Sequence, residues 1–115
     1  MSYDLNFWKY KEGAETNHQT VYEALSEGQV VEGLEAIPIE DIVQRVGSVF
    51  GGQWERLSEV GWESANGAFQ LSYSSQFFRV DCNGMSGDDM NKFIDIGNEF
   101  GCPLFDPQVG KRYEV

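Results

Sequence analysis

Between Ile39 and Phe50 the apolar residues Ile39, Ile42, Val43, Val46, Val49 and Phe50 recur at intervals of three and four. From Phe69 to Cys82 apolar residues recur at intervals of two, interrupted only at Ser74-Ser75-Gln76. The first spacing paints one stripe along an α-helix and the second paints one face of a β-strand. Two strands joined by so short a turn must run antiparallel, because a parallel pair needs a crossover of a dozen residues or more. A helix stripe beside an antiparallel hairpin is an α+β pattern.

The rest of the chain extends it. Tyr3, Leu5 and Phe7 alternate with Asp4, Asn6 and Trp8, which predicts an opening strand over Tyr3–Tyr10. Thr16 or Asn17 can cap a short helix with Val21, Tyr22 and Leu25 on one side, ending at Gly28. Pro38 suits the first position of the central helix, and Glu40 and Asp41 favour its positive end. Trp54, Leu57 and Val60 allow one or two further helical turns. A last helix is expected over Gly87–Phe100, with Met90, Phe93, Ile94 and Ile96 or Gly97 inward and Gly101 and Pro103 stopping it. Asp106-Pro107 and Gly110 predict a short C-terminal hairpin between Leu104-Phe105 and Arg112–Val115. The expectation is one domain over residues 1–115: a four-stranded, mostly antiparallel sheet in split βαβ, ferredoxin-like order, helices on one face. Trp8, Gln70, Ser72, Phe77 and Arg79 would show on the other face.

Composition narrows the partners. Nineteen acids against eight bases leave a net charge of −11, and from Glu12 to Gln44 eight acids occur with no Lys or Arg. Such a balance opposes binding to nucleic acid, which needs a basic footprint, and to anionic membranes. Aromatic residues on an open sheet face can stack on RNA bases, yet Trp8 and Phe77 lack that footprint; packing beneath a loop or at a protein interface suits them better. No apolar run nears the ~20 residues that span a bilayer. The opening residues lack the form of a signal peptide and there is no Asn-x-Ser/Thr sequon, so a cytoplasmic location is expected. Cys82 and Cys102 flank the last helix, whose thirteen residues rise roughly 20 Å, beyond the ~7 Å a disulfide tolerates; they are expected as small core residues.

Catalytic signatures are missing. The sequence holds no Gly-x-Ser-x-Gly, no phosphate-binding Gly-Lys-Ser/Thr loop and no Gly-x-Gly-x-x-Gly, and its single histidine, His18, makes no zinc motif with two distant cysteines. The densest polar cluster is the acidic loop 81–89. Read as a calcium loop from Asp81, it has Ser86 at the sixth position and Lys92 at the twelfth, where Gly and Glu belong. Ser86 with Asp89 has instead the spacing of a helix capping box. Glu40 and Asp41, a carboxylate pair that acid–base catalysis can use, are accounted for by a helix start. No cofactor or metal is expected. Glu23 and Glu27 stand one helical turn apart, where like charges repel mildly, a cost that a cationic partner would relieve.

Three blocks stand out together: Tyr3-Asp4-Leu5-Asn6-Phe7-Trp8-Lys9, Gly84-Met85-Ser86-Gly87-Asp88-Asp89-Met90-Asn91, and Gly101-Cys102-Pro103-Leu104-Phe105-Asp106-Pro107-Gln108. Over most of its length the chain resembles small acidic bacterial proteins of uncharacterised function, which implies no particular activity. In size, charge and lack of catalytic groups it is also similar to immunity proteins that neutralise contact-dependent or polymorphic toxins. That likeness implies a non-catalytic, antitoxin-like domain that binds a basic protein. The expected binding residues are Glu23, Glu27, Glu32, Glu35, Glu40 and Asp41, with Trp8 as an apolar anchor. The alternative is a small enzyme or ligand-binding domain that uses loop 81–89, with or without a divalent ion.

Overall fold

A computed structural model describes residues 2–113. In chain order the elements are β1 (Ser2–Trp8), α1 (His18–Ser26), α2 (Ile39–Phe50), β2 (Glu55–Arg56), β3 (Gly61–Ser64), β4 (Gly67–Tyr73), β5 (Phe77–Asn83), α3 (Gly87–Glu99), β6 (Leu104–Asp106) and β7 (Lys111–Tyr113). The strands form one sheet in the order β2-β3-β4-β5-β1-β6-β7, and every neighbouring pair is antiparallel. The class is α+β, but the expected four-stranded ferredoxin-like sheet is corrected to a seven-stranded antiparallel one.

Two local causes account for the three further strands. Trp54, Leu57 and Val60 mimic helical spacing, yet Glu55–Arg56 pairs with Trp62–Glu63, and Gly61–Ser64 pairs with β4 in register Trp62↔Phe69. Ser58 Oγ accepts from the backbone amides of Val60 and Gly61, closing a turn where a helix would have continued. At the other edge the C-terminal hairpin forms, β6 against β7, but it joins the main sheet because β6 also pairs with β1 through Asn6↔Phe105 and Phe7↔Leu104. Glu114 and Val115, expected in that hairpin, lie outside the described residues.

The placement of the helices is also corrected. Adjacent strand residues point to opposite faces, yet Phe7 and Trp8, Phe77 and Phe78, and Leu104 and Phe105 are all buried. The centre of the sheet is therefore covered on both sides. On one face α2 and α3 bring Ile42, Val46, Phe50, Phe93 and Ile96 onto Leu5, Phe7, Phe69, Leu71, Phe78 and Val80. Phe50 stacks on Phe93 with centroids 4.7 Å apart, and Phe7 stacks on Phe78 at 4.5 Å. On the opposite face α1 and the segment after it lay Val21, Leu25 and Leu34 over Trp8, Phe77 and Phe105. The aromatic face expected to be open is roofed by α1.

Capping follows local chemistry. Asn17 Oδ1 accepts from the Thr20 amide at 2.9 Å to start α1, and Ser86 Oγ accepts from the Asp89 amide at 3.1 Å to start α3. Helix α2 starts after Pro38 with no side-chain cap; Glu40 and Asp41 in its first turn complement the dipole. Cys82 and Cys102 are free and buried, and burial pushes their thiols up to about 12 and about 11. At neutral pH both are protonated and poor nucleophiles.

Candidate functional site

The base-free acidic run is a tethered segment. Its middle runs antiparallel beside the end of β1: Tyr10 bridges Leu34, the Lys11 amide donates to Gly33 O at 2.8 Å, and the Glu35 amide donates to Lys9 O at 2.8 Å. Gln76, in the β4–β5 turn, then grips Val31 by donating to its carbonyl at 2.8 Å and accepting from its amide at 2.9 Å. The Ile37 amide donates to Ser75 O at 2.9 Å. Backbone and amide bonds hold this stretch in place, so its carboxylates need not do so.

Few of those carboxylates are neutralised. Glu35 meets Lys9 at 3.3 Å and Glu15 meets Arg112 at 3.5 Å. Glu12, Glu23, Glu27, Glu32, Glu40 and Asp41 are exposed, and none has a basic partner among the described residues. Glu23 and Glu27 take neutral donors instead, Gln19 at 3.4 Å and Gln29 at 3.1 Å. The expected binding residues do not form one patch. Glu23 in α1 and Glu27 at its C-terminal cap lie on one face of the sheet, whereas Glu40 and Asp41 belong to α2 on the other. Trp8 has no exposed surface, so in this fold it is a core residue beneath α1.

Around Arg79 the α1 face carries a polar cluster. The Arg79 Nε donates to the buried Asn6 Oδ1 at 2.7 Å, its Nη2 donates to Ser26 Oγ, and the guanidinium lies over the Tyr22 ring at 5.2 Å. Tyr22 donates its hydroxyl hydrogen to Asp4 Oδ2 at 2.9 Å. These bonds fasten α1 to β1 and β5. Asp4 stands directly across from Asp81. Asp81 is exposed, yet partial desolvation by its neighbours raises its carboxyl above the ordinary value; Arg79 opposes the rise and Asp4 adds to it.

Loop 81–89 is divided by the sheet. Cys82 points into the core beneath α3, so its neighbour Asp81 projects to the opposite face, while Asp88 and Asp89 sit in the first turn of α3. Asp89 pairs with Lys92 at 3.1 Å. Among the described residues no three or more His, Cys, Asp or Glu side chains are grouped to hold a metal ion. His18 shares a 2.8 Å hydrogen bond with the Tyr10 hydroxyl.

A groove of about 950 Å³ lies between α2 and the ends of β2 and β4. Ile37, Ile39, Val43 and Tyr73 make its apolar surface, and Glu40, Asp41, Gln44 and Ser74 its polar rim. A shallower extension of about 470 Å³ continues past Val43 and Tyr73 to Leu57 and Glu59. Arg56 lies between the two, but its Nε donates to Ser58 O at 3.0 Å, its Nη2 donates to Glu59 O at 2.8 Å, and it covers Trp62 at 5.2 Å. Of the groove residues, the sequence singled out Glu40 and Asp41 alone as binding residues. Val43 was legible only as part of the helix stripe, and Leu57 and Tyr73 come from other segments, with no pattern linking them to α2.

No helix among the described residues is long and apolar enough to cross a membrane. In comparisons with known proteins, no family model matches the chain, and no curated protein matches it at a significant level.

Proposed function

We propose that this chain is a non-catalytic binding domain that recognises a basic protein through its acidic surface, in the manner of bacterial immunity or antitoxin proteins. One observation carries the reading: six carboxylates of the segment 12–44, spread over both helix-covered faces, are exposed and have no basic partner among the described residues, on a backbone held by other bonds. Carboxylates so disposed are open to an incoming cation and need little reordering to meet it. Complementary charge of this kind chiefly accelerates encounter and selects against acidic partners. Two buried free thiols suit the reducing cytoplasm, where such a protein would act.

The test is kinetic. The protein is immobilised, exposed to an extract of its source organism, and the retained protein is purified and identified. Its association rate is then measured from low to high salt. Screening contracts from ~8 Å at physiological ionic strength to ~3 Å at 1 M, so the rate should fall by about tenfold or more while dissociation changes less. Reversal of Glu23 and Glu27 to lysine should slow association without unfolding the chain, since both side chains are exposed. A retained partner that is acidic, or one whose association ignores salt and every charge reversal, would reduce the charge to a solubility device.

A further inference from the structure

We infer that the groove between α2 and Tyr73 receives a partner segment in which a large apolar side chain is bracketed by lysine or arginine. The inference rests on the acidic-binding reading above and gives it a seat. Leu57 is 59% exposed and Tyr73 42% exposed, and together with Ile39 and Val43 they line one continuous depression. Large apolar side chains left in water around a concavity of this size are what a docking segment covers.

The charges choose the kind of segment. Glu40 and Asp41 rim one end of the depression and Glu59 the other. The start of α2 contributes only about half a positive charge, which two carboxylates outweigh. Arg56, which donates to two backbone carbonyls and covers the Trp62 ring, sets one base against these three acids, so the acids still outnumber it along the groove. An anionic occupant would meet these three acids. An apolar side chain entering between Val43 and Tyr73 would instead place flanking cations against both ends. Arg45, the next base along α2, is paired with Glu99 by two hydrogen bonds of 2.9 Å and does not compete.

Two blocked synthetic peptides of equal positive charge provide the probe: one with Leu-Phe between paired lysines, one with Gly-Ser in its place. Amide chemical shifts of the labelled protein report where each binds. The Leu-Phe peptide should shift Ile39, Val43, Leu57 and Tyr73 and bind about tenfold or more tighter, the factor a partly buried apolar side chain supplies. Tyr73→Ser with Leu57→Ser should erase that advantage; Glu40→Gln with Asp41→Gln, both at exposed positions, should weaken both peptides, with a melting curve to separate this from the small loss of dipole stabilisation at the start of α2. Equal affinities with shifts spread over α1 and α2 alike would overturn the groove and leave the acidic-surface reading standing. Failure of both peptides to bind at low salt would overturn both.

Discussion

Gln76 holds the backbone of Val31 with both ends of its amide, its Nε2 donating at 2.8 Å and its Oε1 accepting at 2.9 Å, across forty-five residues of sequence. The arrangement copies one rung of a β-ladder with a side chain, and it fixes the acidic segment to the β4–β5 turn. Gln76→Ala should cost about 1–3 kcal/mol, from two lost bonds of roughly 0.5–1.5 kcal/mol each. Hydrogen exchange should locate the effect: the Val31 amide loses protection while β1 and β5 keep theirs. Unchanged protection at Val31 would dismiss Gln76 as the fastener.

Gly97 and Gly87 share α3 and should respond oppositely to alanine. A Cβ on Gly97 would lie 2.5 Å from Phe7 Cδ1 and 2.6 Å from the Cys102 carbonyl oxygen, whereas one on Gly87 meets nothing within 4 Å. Gly97→Ala therefore overpacks the α3–β1 contact, costing about 1–3 kcal/mol or more. Gly87→Ala should be neutral or stabilise by up to about 1 kcal/mol through helix propensity. Urea unfolding of the two variants checks the contrast, and equal midpoints would place α3 differently on β1.

Ser86→Ala removes the acceptor of the Asp89 amide and should cost about 0.5–2 kcal/mol, with the same loss in chelator as in added magnesium or calcium. Thermal unfolding in both conditions decides it. A parent protein that collapses in chelator would turn loop 81–89 into a metal site, and a mutant as stable as the parent would remove the cap.

Asp81 gives a pH prediction with a definite sign. Its carboxyl is raised in the fold by partial desolvation first, against Arg79 and with Asp4 across the strand pair, so the folded state binds its proton more tightly than the unfolded state does; because the side chain is exposed the effect is small. Ionised Asp81 therefore lowers stability above its folded pKa, and this penalty is relieved as pH falls through that value toward the ordinary aspartate range. Asp81→Asn should raise the melting temperature at neutral pH and flatten its dependence on pH just above the aspartate range. A melting temperature lowered by the substitution at neutral pH would mean that the charge of Asp81 supports the fold through Arg79.

How much of this molecule was legible in one dimension depends on where the energy of each element lies. Alternation at Leu5-Phe7, Phe69-Leu71 and Phe78-Val80 marks β1, β4 and β5 and assigns their inward faces, because period two is a property of the strand backbone itself. The stripe of α2 and the caps of α1 and α3 are equally local, set by neighbours three or four residues away. Strands β2 and β3 are too short to show a period, and Trp54, Leu57 and Val60 fit a helix as well as they fit a turn between paired strands. Only their partners separate the two. The side of the sheet on which α1 lies is also undetermined by its own amphipathicity. Trp8, Phe77 and Phe105 must be covered too, and α1 with its tethered extension covers them. The sequence by itself determined an acidic chain of helices on antiparallel strands, since composition and periodicity are sums over near neighbours. Tertiary structure alone decided that Trp8 lies in the core, that Glu23 and Asp41 sit on helices covering opposite faces of the sheet, and that Val43, Leu57 and Tyr73 share a groove. Those relations arise between segments whose meeting is fixed by the packing of the whole sheet.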